Sequence, residues 1–436
     1  MAYKLYYRQI YLYDDIKEPL LYRSNIKKYY KKLNLIYDYK INDTIKDKVI
    51  LPHNEILRGH VIKKLTDLFI KHVKQFKNVK NLSKIFKYKK LEQFVQQWCW
   101  VQYTNPLVKD SIIPYIPDNS YNFTEFIRDF NFVMKTDLTL TTPYVESLIN
   151  NVQRLIKNEY FNFINTLKIE LPIHKTKKES EVILSCFYND IEYSVIINNN
   201  VYIRLQSKLK NNNPANFTDE QEDKCIFCLF YRASYIDAEN QQLAIHKHIK
   251  NMFLDFGVNF ELFGSAINVI SDHYCSMFYD IERFFGSKGD FFKLDIKSGI
   301  YWCNPPYIDR IMTAVGHKIK NILNTTSNVA FIITVPIWDE VTRQHSFSDI
   351  VRNFNKNTLP EEHKDYPIYA LLKPFIHDEL IIPKNRIPYF NYRYYKPISA
   401  TNTYMWIIYN TLLDTSIHSV FDKIIELDKS NYFQLN

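Results

Sequence analysis

The chain has 436 residues, 46% hydrophobic and 24% charged, which excludes a disordered protein and leaves room for two or three domains. A formal net charge of +9 and a pI near 8.9 suit a polyanionic partner such as RNA or DNA, although a lysine-rich solvated surface gives the same count. No run approaches the length of a membrane span, and Met1–Arg8 lacks the apolar core of a signal peptide, so the expectation is an intracellular protein, cytoplasmic or nuclear, with no membrane partner.

Lys, Asn, Ile and Tyr (34 tyrosines) are abundant and glycine is scarce, a bias read as AT-rich coding of the kind met in large DNA viruses, with host cytoplasm or virion as the compartment, or in protist parasites. Six of the seven glycines fall between 257 and 316, the exception being Gly59. Glycine serves positive φ and close backbone approach, so this clustering points to a ligand-binding centre in that window. The six cysteines are scattered, as in a reduced protein. Cys225 and Cys228 have zinc-type spacing but no second pair, and no metal is expected.

In chain order, residues 1–174 are expected to form a mostly helical, basic RNA-binding domain. The basic-aromatic runs Lys27–Lys32 and Lys84–Lys90 fit either nucleic-acid contacts or solvated helix faces. Leu57, Val61, Leu65, Leu68 and Phe69 recur at helical spacing, and Leu91–Tyr103 predicts another helix. Thr142 caps a third helix, with Pro143 at its first position and Val145, Leu148, Ile149, Val152, Leu155 and Ile156 on one face. Arg58, beside Gly59, is a candidate RNA contact. Residues 175–222 predict a small antiparallel meander with a linker, its strands Val182–Phe187, Ile191–Ile197 and Val201–Leu205 separated by Asn189-Asp190 and Asn198-Asn199-Asn200.

From 223 to 436 the pattern becomes α/β: a helix over Ala238–Phe253, a strand over Val258–Phe263 running into Gly264-Ser265-Ala266, a helix over Ile267–Cys275, and an extended run reaching Asn304. Ile308, Ile311, Met312, Val315, Ile319 and Ile322 mark an amphipathic helix. Val329–Val335, apolar throughout, predicts a central strand, and Tyr404–Tyr409 a late one. The alternation is that of a doubly wound, Rossmann-like sheet.

Asn304-Pro305-Pro306-Tyr307 closes the strand before the amphipathic helix. Two prolines remove two donors and fix φ twice, leaving a rigid loop with unpaired carbonyls. Such a loop suits a flat base bearing an amine. The amine nitrogen of adenine is a poor nucleophile, and an Asn oxygen and a prolyl carbonyl accepting its two N–H groups would enrich it and aim its lone pair, while Tyr307 stacks on the ring. The electrophile would be the methyl of S-adenosylmethionine, bound at the Gly264-Ser265-Ala266 turn.

These residues carry a resemblance. Phe260–Asn268, Tyr274–Phe278, Phe285–Gly289, Asn304–Tyr307 and Phe331–Trp338 resemble, in order and spacing, the methyltransferase domain of the phosphorylated-CTD-interacting factor family, the cap-specific adenosine N6-methyltransferases. The resemblance implies a class I methyltransferase fold and methyl transfer from S-adenosylmethionine to N6 of the first transcribed adenosine of N7-methylguanosine-capped mRNA. It implies that Asn304, Pro305, Pro306 and Tyr307 are catalytic, with Tyr307 in place of the family's Phe. Phe263, Ser265 and Asn268 match its cofactor-side motif, in which Ala266-Ile267 replaces a Pro-Leu pair, and Gly264 is a cofactor candidate from the turn itself. The WW module of the animal proteins is expected to be missing, and with it recruitment to a polymerase tail.

Further candidates are Asp280 for the cofactor ribose, where an exposed turn carboxylate fits equally, and Asp295 for its adenine. Trp338 and Glu340 suit a methylated guanine, the aromatic face for the cationic ring and the carboxylate for its donor edge, although a core Trp also fits. Lys288 could meet phosphate. The competing readings are an adenine-N6 methyltransferase acting on DNA or internal RNA, and a non-catalytic RNA-binding subunit with this fold. Protein partners are not specified by the sequence.

Overall fold

The computed structural model describes residues 22–23, 37–41, 50–75, 84–131 apart from 125, 128 and 129, 137–212, 217–236, 243–336, 367–382, 389–393, 396–398, 403–411 and 416–429. In chain order the strands are β1 (Tyr22–Arg23), β2 (Asp38–Ile41), β3 (His174–Lys177), β4 (Glu181–Tyr188), β5 (Ile191–Asn198), β6 (Leu243–Ile245), β7 (Phe260–Glu261), β8 (His273–Tyr274), β9 (Leu294–Cys303), β10 (Val329–Pro336), β11 (Ile376–Ile382), β12 (Tyr389–Asn391), β13 (Lys396–Ile398) and β14 (Thr403–Tyr409). The helices are α1 (Pro52–Gln75), α2 (Lys84–Tyr103), α3 (Pro143–Asn165), α4 (Asn199–Asn212), α5 (Asp219–Ile236), α6 (Lys247–Asp255), α7 (Tyr279–Glu282), α8 (Asp309–Thr325), α9 (Pro367–Leu372) and α10 (Ser419–Lys429). Two compact units result. Among the described residues, one takes in those within Ile45–Gln241 and Asp280–Phe285, the other those within Ala2–Thr44, Gln242–Tyr279 and Gly286–Asn436.

The first unit is helical with a three-stranded antiparallel sheet in the order β3-β4-β5. α3 starts at Pro143 and buries Val145, Leu148, Val152 and Ile156, as the apolar period requires. Asn189 and Asp190 adopt φ of 50° and 60°, so the β4–β5 hairpin turns through two left-handed residues whose short polar side chains tolerate them. The third expected strand is corrected here. Val201–Leu205 lies inside α4, where Val201, Tyr202, Leu205 and Leu209 make a buried helical face, and the third strand is β3, upstream of the pair. The polar stretch from Lys208 continues that helix to Asn212 instead of serving as a linker.

The second unit is a mixed α/β structure compatible with a Rossmann-like domain. Its main sheet runs β1-β11-β14-β10-β9-β7-β8, with β2 pairing β9 off that path. β10 with β9, β9 with β7 and β7 with β8 are parallel; the pairs involving β14, β11, β1 and β2 are antiparallel. Ile300, Trp302, Ala330, Ile332, Met405 and Ile407 pack one core with Ile249, Phe253, Val420 and Phe421, while Tyr301, Cys303, Phe331 and Ile333 are buried as well. A strand covered on both faces accounts for the unbroken apolar run of β10.

Several expectations change in this unit. Tyr22–Arg23 and Asp38–Ile41 are strands of this sheet and not parts of a helical domain. Tyr37 sits over Gly299, where a Cβ would lie 2.8 Å from its ring and where φ is +121°, so only glycine suits the place. The helix expected over Ala238–Phe253 begins at Lys247, preceded by β6. Ile267–Cys275 is not helical: a short turn is pinned by Asn268 N–H and Val269 N–H donating to the Ser265 carbonyl at 2.9 and 2.8 Å, and β8 follows. Within those nine residues Ile267, Val269, Tyr274 and Cys275 are all fully buried, which is not the one-sided burial of an amphipathic helix.

Candidate active site

The chain leaves β7 for β8 on one side of the sheet, then places β9 on the other side of β7 and moves on to β10. The strand order therefore reverses between β7 and β9, and the carboxyl ends of strands at such a switch point are where open α/β sheets take ligands. The register fixes what meets there. Glu261 lies opposite Trp302, with Leu262 N–H donating to the Trp302 carbonyl at 2.8 Å. Two residues further along each strand stand Phe263 and Asn304, so the two motifs that the sequence singles out, about forty residues apart, come side by side.

Asn304 is 9% exposed, and its Oδ1 accepts a hydrogen bond from the Tyr307 hydroxyl at 2.8 Å. That hydroxyl is 3.0 Å from the hydroxyl of Tyr389, which is 2.7 Å from Thr403 Oγ1. Because Tyr307 spends its proton on Asn304, it accepts from Tyr389, which in turn accepts from Thr403. The chain of donors then points toward Asn304 Oδ1. An amide oxygen has two lone pairs, so Oδ1 keeps one acceptor site. Burial pushes the Tyr389 phenol up, outweighing its hydrogen bonds with Thr403 and Tyr307, which act to lower it. The Pro306 carbonyl accepts from Ile308 N–H at 2.7 Å. Among the described residues no donor reaches the Pro305 carbonyl. The loop thus holds two acceptors, Asn304 Oδ1 and Pro305 O, with capacity left.

The loop after β7 is organised from within. Ser265 N–H donates to Asn268 Oδ1 at 2.9 Å, and Gly264 N–H to the Cys275 carbonyl at 2.8 Å. Phe263, Gly264 and Ser265 are partly exposed while 266–269 are buried, so the loop offers its first three residues to a ligand. A Cβ on Gly264 would meet the side chains of Tyr274 and Val269 at 3.3 and 3.4 Å, a close fit set by packing. The ring of Phe263 packs edge-on against Phe291. Beneath the loop the Lys250 ammonium donates to the Asn268 carbonyl at 2.8 Å and lies 3.3 Å from Glu261 Oε1. These residues fit a cofactor with a sugar and polar ends, since the loop combines a hydroxyl, an aromatic edge and a partly exposed glycine backbone beside unspent acceptors.

Of the remaining candidates, Lys288 lies beside this end of the sheet: its backbone N–H donates to the Tyr274 carbonyl at the end of β8. Asp295 does not. It sits near the start of β9, eight residues and roughly 25 Å of extended strand before Cys303, half-exposed and paired with Lys297 at 2.8 Å. Asp280 belongs to α7 and to the helical unit, not to a strand end. Its carboxylate is gripped by Arg232 at 2.6 and 2.7 Å and by the Ser111 hydroxyl at 2.8 Å. Burial alone would raise it, but the Arg232 and Arg58 guanidinium groups hold it well below the usual carboxylate range. Arg58 is itself spent on Asp110 and Glu55, at 2.7 and 2.6 Å, so it is not an open RNA contact. Trp338 and Glu340 lie outside the described residues.

Four participants escaped the sequence reading. Lys250 carried a signal, as a lysine on the apolar face formed by Ile249, Met252 and Phe253. Glu261 carried one as a carboxylate in a strand buried on both sides. Tyr389 and Thr403 carried none, because only the pairing of distant strands brings them to Tyr307.

A family model described as the phosphorylated CTD interacting factor 1 WW domain matches residues 202–366, less than half of the chain. Two curated relatives, both described as mRNA (2′-O-methyladenosine-N(6)-)-methyltransferase, are 37% identical in mouse and 35% in human over 86 residues. That stretch is 20% of this chain and spans only 12% of the length of either relative. The expectation of a chain lacking the WW module is overturned, because the matching model carries that name; with it falls the argument against polymerase-tail recruitment. A viral source has no support in these matches.

Proposed function

We propose that the chain is a methyltransferase that uses S-adenosylmethionine to methylate N6 of the adenosine next to an N7-methylguanosine cap. The observation that carries this is the register of Glu261 with Trp302, which sets the Phe263–Asn268 loop beside Asn304–Tyr307 at the switch point. The sheet order, with β14 antiparallel between β10 and β11, supports a class I methyltransferase fold. The name shared by the mouse and human relatives supports the substrate, and the family's description supports a phosphorylated CTD as a further partner.

In this reading Asn304 Oδ1 and the Pro305 carbonyl accept the two N–H groups of the adenine amine. Tyr307 holds the amide in place through its hydroxyl and offers its ring to the base, and Pro306 fixes the turn. Rigid acceptors at set positions lower the barrier chiefly by positioning. S-adenosylmethionine, held by Phe263, Gly264, Ser265 and Asn268, supplies an electrophilic methyl. Lys288, whose backbone is bonded to the end of β8, would meet phosphate, and Trp338 with Glu340 remain the proposed seat of the methylated guanine. Asp280 and Asp295 have no part in this arrangement, the first saturated by arginines and the second at the wrong end of β9.

The test is methyl incorporation from labelled S-adenosylmethionine into RNAs that begin with A or G, each capped or uncapped. Capped, A-initiated RNA alone should be labelled. Equal labelling of uncapped RNA or of DNA would favour a methyltransferase of wider scope.

A further inference from the structure

We propose that Lys250 is a positioning residue that holds the 263–268 loop in its ligand-ready shape; this rests on reading that loop as the S-adenosylmethionine site. Lys250 is 1% exposed and Glu261 likewise. A lysine taken wholly out of water costs free energy unless its charge and its donors are met. The described contacts that meet them are a carboxylate, two aromatic faces and a backbone carbonyl. The carboxylate of Glu261 lies 3.3 and 3.4 Å away, and the rings of Trp302 and Tyr392 stand 4.6 and 4.8 Å from the ammonium. Of these contacts the shortest is the bond to the Asn268 carbonyl, 2.8 Å.

That bond distinguishes a positioning role from plain core packing. Glu261 is the last residue of β7 and Trp302 stands two residues before Asn304, so Lys250 joins the roots of both motifs. Its third link is to the loop itself, at the residue whose Oδ1 accepts the Ser265 N–H and whose own N–H donates to the Ser265 carbonyl. The ammonium therefore pins Asn268, and Asn268 sets the Ser265 backbone beside the partly exposed Gly264. A neutral apolar side chain could fill the same space, yet it could not anchor that carbonyl.

Removing one partner alone would strand a buried charge, so the test replaces both. The Lys250→Met/Glu261→Met variant is expected to melt close to the wild type. It should bind S-adenosylmethionine, measured by calorimetry, on the order of tenfold more weakly. Its backbone amides over 263–269 should exchange hydrogen faster, while affinity for capped RNA is unchanged. Lys250→Gln/Glu261→Gln keeps a polar pair but falls about one bond short of the Asn268 carbonyl. It should show a smaller loss in the same direction, and it decides the matter if the methionine pair does not fold. Wild-type affinity and wild-type loop exchange in the folded variant would overturn the role of Lys250. A wild-type chain that binds no S-adenosylmethionine would instead overturn the reading of the site on which that role rests.

Discussion

Charge is buried in both units, and the two places use it differently. In the helical unit Arg232, 2% exposed, is shared between Glu55 and Asp280, and Arg58 between Glu55 and Asp110, with the Tyr235 hydroxyl donating to Glu55 at 2.8 Å. Each of these carboxylates is met by an arginine. At the end of β9 the described residues bring together an amide, two prolines and three hydroxyls, with the single Lys250–Glu261 pair beneath the neighbouring loop, and acceptors there retain capacity. The arginine network is spent on its own carboxylates, whereas the proposed substrate site keeps acceptors unspent. Perturbed ionisation marks a site only when the groups that perturb it leave something unspent.

The comparison can be broken from either side. Arg232→Met should cost the most, about 3–5 kcal/mol of stability, because it leaves buried Glu55 and part-buried Asp280 without their main partner; denaturant unfolding measures it, and a loss below about 1 kcal/mol would mean that the network behaves as surface pairs do. Asn304→Ala should do the converse, lowering methyl transfer on the order of a hundredfold or more with little change in melting temperature.

The two units should also respond to pH in opposite directions. Burial opposes ionisation of Glu55 and Asp280, but Arg232 and Arg58 outweigh it and hold both carboxyls low. Their stabilisation is present above the unfolded carboxyl range and is lost as pH falls below it. Glu379 in β11 goes the other way: burial and the neighbouring Asp378 push it up to about 7. The folded state then holds a proton that the unfolded chain gives up, so stability present at low pH is lost as pH rises through about 7. Hydrogen exchange as a function of pH should show α1 and α5 opening first in acid. Glu379→Gln should flatten the alkaline-side loss in the sheet unit. Tyr307→Phe sharpens the comparison most finely. Losing the hydroxyl that orients Asn304 should cost about 0.5–1.5 kcal/mol of transition-state stabilisation, roughly two- to tenfold in rate.

How much of this the sequence disclosed follows from the range of each signal. Periodicity is local, so α3, α8, β10 and β14 were legible, and so was the strand ending at Asn304. The hairpin was legible through Asn189-Asp190, whose chemistry is also local. What failed was long-range or ambiguous. Val201–Leu205 sets β-branched Val201 and Ile203 on either side of Tyr202 and reads as a strand until the buried spacing of Tyr202, Leu205 and Leu209 is known. Tyr22–Arg23 and Asp38–Ile41 join a sheet whose other strands lie hundreds of residues away. Asp280 illustrates the same limit in the site, for nothing near it in the chain announces Arg232 or Ser111. Asn304–Tyr307 could be read because its rigidity and its acceptors are properties of four consecutive residues.

The central claim is that Asn304 and Pro305 present the adenine amine to a methyl donor. Its most direct measurement uses S-adenosylmethionine with a deuterated methyl group and capped RNA beginning with A, followed by digestion and mass spectrometry of the cap-adjacent nucleoside. The labelled methyl should appear on N6 of that adenosine with the wild-type chain and fall at least a hundredfold with Asn304→Ala. Label at another atom or another position, or undiminished label with Asn304→Ala, would contradict it.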